Sequence, residues 1–101
     1  MQTVELQEET YQLLKDPLMG EQTFDTTVRM LIEAEYLRRL KRYHYLDQTL
    51  RKKYGMDFEQ FHAQKVAQKQ GYTWEVEKDA MDWETAIGHI QTLERKLKQL
   101  H

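Results

Sequence analysis

The chain has 101 residues, with 15 Lys or Arg against 17 Asp or Glu, a formal net charge of -2 and a sequence pI near 6.1. That balance argues against a generic polyanion binder and a basic membrane-surface module, and leaves nucleic acid only a local patch; one domain of this size buries only about two thirds of its unfolded surface, so a partner or a second copy would enlarge a thin core. The sequence contains no cysteine and no serine, which removes disulfides, thiolate metal sites and serine nucleophiles.

No hydrophobic run approaches the ~20 residues of a membrane span, and MQTVELQEE lacks the basic-then-apolar plan of a signal peptide. The expectation is a cytoplasmic protein. Residues 2–7, QTVELQ, alternate polar and apolar, with Val4 and Leu6 on one side, which predicts a short half-buried strand. Residues 8–16 place Tyr11 and Leu14 three apart, a short helical stripe that Pro17 ends, because the residue before a proline is pushed out of helical geometry.

A turn through DPLMGEQ follows. Thr23 is a good N-cap, and Phe24, Val28, Leu31, Ala34, Leu37, Leu40, Tyr43, Leu46, Leu50 and Tyr54 recur every three or four residues up to Gly55. The spacing predicts one amphipathic helix over 24–54, or two with a bend near 43–45. Asp57 caps a shorter helix that runs towards Gly71 through Phe58, Phe61 and Val66.

Thr73 caps the last helix, over 74–100. Its stripe of Val76, Ala80, Trp83, Ile87, Ile90, Leu97 and Leu100 is the strongest helical signal in the chain. Acids in the first turns (Glu75, Glu77, Asp79) and bases in the last (Arg95, Lys96, Lys98) match the helix dipole. Trp83 lies on the core stripe. Trp74 aligns instead with Met81 and Gly88 on a neighbouring stripe, offered either to a binding partner or to broader burial within the chain.

Charge is unevenly spread. Residues 1–23 hold five acids and one base, 24–54 four acids and eight bases, and 55–101 eight acids and six bases. The basic run LRRLKRYHYLDQTLRKKYG, with Tyr36, Tyr43 and Tyr45 interleaved, reads as a solvated helix face. The more specific alternative is a surface facing an acidic partner, or the chain's own acidic segment at 75–84. His44, His62, His89 and His101 include no pair three or four apart, so spacing offers no helical metal pair. Glu75, Asp79 and Asp82 share a helix face but read as solvated carboxylates, so no metal, cofactor or catalytic residue is expected and the chain is read as not an enzyme.

A lone strand needs a partner for its backbone donors and acceptors, and no second strand is predicted downstream. Pairing with the same strand of another copy is the economical solution, giving a two-fold ribbon. TVELQEETYQLLK followed by GEQTFDTTVRMLIEAEYLRRL resembles the N-terminal module of ribbon-helix-helix antitoxins of the VapB type, over residues 2–42. YGMDFEQF and WEVEKDAMDWE are similar to the C-terminal part of small prokaryotic antitoxin-like proteins.

That resemblance implies a mostly α fold with one short N-terminal strand. Residues 1–54 would form a ribbon-helix-helix homodimerisation module with an extended second helix, and 55–101 a partner-binding helical extension. It implies a cognate toxin, commonly a ribonuclease, as partner, and operator DNA at the ribbon, with no membrane and no small-molecule substrate. Val4 and Leu6 would close the dimer. Thr3, Glu5 and Gln7 would face the bases, unless they are simply a solvated polar face, and Thr23 would offer backbone N–H groups to a phosphate, unless it only caps its helix. Trp74, Met81 and Gly88 would contact the toxin. The second expectation is a non-catalytic, all-helical structural or adaptor module, in which 24–54 and 74–100 pack antiparallel and the N-terminus is irregular.

Overall fold

The computed structural model describes residues 3–101, and among them it contains helices and turns but no β-strand. In chain order the helices are α1 (Glu8–Leu14), α2 (Phe24–Tyr54), α3 (Phe58–Ala63), α4 (Val66–Lys69) and α5 (Trp74–Leu100), with a 3-10 turn at Pro17–Met19. They fall into two compact units, one ending at Glu35 and the other Tyr36–His101, and α2 contributes residues to both.

The expected ribbon-helix-helix fold is corrected at its first element. Residues 3–7 have no regular secondary structure, and Gln2 lies outside the described residues. Val4 is 80% exposed and Leu6 45%, so the alternation that suggested a strand has no core face beneath it. The physical reason is the one that made the strand conspicuous. The described residues supply no second strand, and two apolar side chains bury too little to hold unpaired backbone out of water.

The first unit is built from short-range polar contacts. Glu8 and Glu9 stand in the first turn of α1, where the helix dipole favours them, and the Gln12 amide donates to Glu8 at 2.7 Å. Asp16, held extended before Pro17, accepts from the Leu18 N–H at 2.8 Å and so starts the 3-10 turn. Gly20, at φ +101, then closes that turn, its N–H donating to the Pro17 carbonyl. The Gln22 amide fills the space over that glycine and donates to the Met19 carbonyl and the Thr27 hydroxyl, each at 2.8 Å.

Thr23 opens α2 as expected. Its hydroxyl accepts from the Thr26 N–H at 3.2 Å, and its carbonyl from the Thr27 N–H at 3.0 Å. Tyr11 and Phe24 meet with ring centroids 5.8 Å apart, beside a cleft of about 330 Å³ that Leu14, Lys15 and Gln22 also line. Thr27 is buried in this unit, while Leu13, Leu18, Met30 and Leu31 remain exposed.

The second unit has a true core. Its part of α2 runs antiparallel to α5, as the paired positions show: His44 lies by Glu94, Asp47 by Trp83, and Lys53 by Asp79. The α2 helix is a single element through 43–45, and Gly55, at φ +68, closes it with an N–H bond to the Arg51 carbonyl. Asp57 and Gln60 form the capping box of α3.

The single helix expected between Asp57 and Gly71 is interrupted. Lys65 adopts the left-handed conformation, at φ 51, and splits it into α3 and α4. Thr73 caps α5 by accepting from the Val76 N–H. Leu50, Phe61, Val66, Val76 and Trp83 form the buried cluster, with Leu46, Tyr54, Met56, Phe58, Ala80 and Ile87 packed around it.

Candidate protein-binding surface

The two tryptophans of α5 have opposite fates. Trp83 is 0% exposed, with the rings of Phe61, Phe58 and Tyr54 at 5.1, 5.5 and 6.1 Å from its own. Its indole N–H donates to the Asp47 carboxylate at 2.8 Å, and the Arg51 guanidinium donates to both oxygens of that carboxylate at 3.2 and 3.1 Å. Asp47 is only 5% exposed, so these charge-assisted bonds offset the cost of burying it. Sequence reading missed Asp47, although a signal was there: 43, 47, 50 and 54 share helical core spacing, and an acid among Tyr43, Leu50 and Tyr54 must find a donor.

The carboxylates of WEVEKDAMDWE are divided by their neighbours. Lys53 reaches across from α2 and donates to Glu75 and Asp79, both at 2.6 Å, and the Tyr54 hydroxyl donates to Asp79 at 2.6 Å. Burial on its own would raise the Asp79 carboxyl, but the hydrogen bonds from Lys53 and Tyr54 outweigh it and hold the pKa below the ordinary carboxylate value. Burial, and then the bond to Asp79, push the Tyr54 phenol up to about 12. Asp79 and Glu75 hold the Lys53 ammonium charged beyond the usual lysine range.

One element of the basic run therefore faces the chain's own acidic segment. Asp82 pairs with Lys78 along α5 at 2.6 Å and raises its pKa. Glu77 and Glu84 are exposed and have no side-chain hydrogen-bond or ion-pair partner among the described residues.

Trp74 is 73% exposed and Met81 60%, and Gly88 is exposed on the same helix face. An added Cβ at Gly88 would meet nothing within 4 Å, so no close approach within the chain requires a glycine there. The structure thus brings Trp74, Met81 and Gly88 onto one solvent-facing stripe. Thr23 serves as the cap of α2, and Thr3, Glu5 and Gln7 lie exposed in or beside the irregular segment that also carries Val4 and Leu6.

The histidines are dispersed: His89 stacks on Tyr43 at 4.8 Å, His62 lies 6.1 Å from Phe58, and His44 is 3.9 Å from Glu94. No three His, Asp or Glu side chains among the described residues gather in a metal-holding group, and the spot between Glu75 and Asp79 is taken by the Lys53 ammonium. Compared with known proteins, the chain matches no protein-family model, no curated protein and no solved structure.

Proposed function

We propose that this chain is a non-catalytic antitoxin, which binds a toxin protein, a ribonuclease by analogy with the proteins it resembles in sequence, and neutralises it by covering its working surface. The observation that supports this reading is the exposure of Trp74 and Met81 on a helix whose core side is already complete around Trp83. A large aromatic left in water beside a filled core suits a contact residue better than a packing residue. Repression of an operon through a β-ribbon forms no part of the proposal.

The test is genetic and then physical. An adjacent reading frame whose expression alone arrests growth should be rescued by this chain, and its product should co-purify with it. A neighbour that is harmless, or toxic but neither rescued nor bound, overturns the reading. The second reading, a helical adaptor without a toxin, is favoured by one observation: the absence of a strand at residues 3–7 takes away the element that ties the N-terminus to antitoxins. In that case the stripe binds a protein whose own activity is unaffected.

A further inference from the structure

We propose that the α5 stripe seats a basic amphipathic helix of the partner, with its apolar anchors seven residues apart and its Lys or Arg side chains along one flank. The identity of the partner rests on the antitoxin reading; the chemistry of the seat rests on α5 itself.

Positions 74, 77, 81, 84 and 88 follow one another at three and four residues, so they fall within about 80° of the helix circumference and extend for about 21 Å. Trp74, Met81 and Gly88 make an apolar line along this face. Glu77 and Glu84 stand together on one flank, and neither has a charge partner among the described residues. On the opposite flank Lys78 and Asp82 neutralise each other. The seat is therefore apolar along its centre and acidic on one side only, and its complement is a helix that is apolar along one line and basic beside it.

Gly88 adds an independent observation. A glycine inside a helix is less favourable than alanine, and it lets another backbone or side chain approach the helix closely. Gly88 lies within a regular helix and has open space where its side chain would be. No described residue of the chain uses that room, which leaves it free for a partner. A helix crossing there could come nearer than the 8–10 Å that side chains ordinarily impose between helix axes.

The probe is a synthetic 18-residue helical peptide with leucines seven apart and lysines on one flank, titrated into the full chain and followed by calorimetry. Its control carries glutamates in place of the lysines. The lysine peptide should bind at least about tenfold more tightly than the glutamate peptide, and Glu77→Lys with Glu84→Lys should reverse the order. Gly88→Ala should raise the melting temperature of the isolated chain by about 4–8 °C. It should nevertheless weaken the lysine peptide.

Equal binding of the two peptides, no binding of either, or unaltered binding to Gly88→Ala overturns the proposal. So does self-association of the chain that Met81→Glu abolishes, which would assign the seat to a second copy. A toxic neighbour captured equally well by the Glu77→Lys, Glu84→Lys variant would leave the antitoxin reading standing and this seat refuted. A harmless neighbour together with selective binding of the lysine peptide would do the reverse.

Discussion

The unit ending at Glu35 and the unit Tyr36–His101 are held together by different physics. In the first, caps and side-chain amides organise a turn, and the buried residue is a threonine, while Leu13, Leu18 and Leu31 stay in water. In the second, a tryptophan is enclosed by three aromatic rings and a carboxylate, and apolar residues from α2, α3, α4 and α5 close around it. Helical content therefore says little about where stability resides. What separates the units is whether an amphipathic face has found a cover.

The largest expected effect comes from Trp83→Ala. It should destabilise the second unit by about 3–5 kcal/mol in urea unfolding, through the cavity it opens and the bond it removes from Asp47. A loss below about 1 kcal/mol would show that this core is not what holds the unit.

Asp47→Ala should cost about 1–3 kcal/mol, because it strands the buried indole N–H. If Asp47→Ala matched the wild type while Trp83→Ala did not, the network would be incidental to the packing.

Stability should also vary with pH at both ends of the scale. Asp79 has a folded pKa below its ordinary 3.8, so its contribution is present above that value and fades as pH falls through the folded pKa. Tyr54 titrates in the opposite sense. Its contribution is complete below 10.0 and is lost as pH climbs towards about 12. Tyr54→Phe should flatten the alkaline limb of a melting-temperature profile, and Asp79→Asn the acid limb; an unchanged profile in either variant would remove that group from the account.

In the first unit, Thr27→Val should cost about 1 kcal/mol, the worth of the hydroxyl that accepts from Gln22. Leu18→Ser should change stability by less than about 0.5 kcal/mol, since Leu18 is almost wholly exposed. A larger loss at Leu18 would mean that this side chain is covered in solution, and the contrast between the units would narrow.

Much of the helical plan was legible because it is written in single residues. Thr23, Asp57 and Thr73 cap where a hydroxyl or carboxylate can meet free N–H groups, and Gly55 and Gly71 take the positive φ that ends helices. Trp83 was assigned to the core from its alignment with Val76, Ala80 and Ile87, and Trp74 was separated from it by the same arithmetic.

Two of the misses depend on distant partners, and the third, Lys65, on a local turn. The strand expected at residues 2–7 needed a neighbouring strand that the described residues do not hold. The left-handed Lys65 carries none of the residue types that advertise such a turn. Asp47 acquires its role only when α5 lies alongside, at a separation of 36 residues, whereas Lys53, 26 residues from Asp79, meets the acidic segment at 75–84 that the sequence offered as one partner for the basic run.

Those two long-range ties also have a kinetic side. Apolar stripes on antiparallel helices are forgiving, because a slip of one turn, about 5.4 Å, brings similar side chains back into contact. The Asp47 and Lys53 contacts are not forgiving. A one-turn slip sets the Trp83 indole against Tyr43 or Arg51 and draws Lys53 away from the pair of carboxylates it bridges. Misaligned hairpins formed during collapse would thus deny the buried indole N–H its carboxylate acceptor, reopen quickly, and leave the aligned pair as the one that persists.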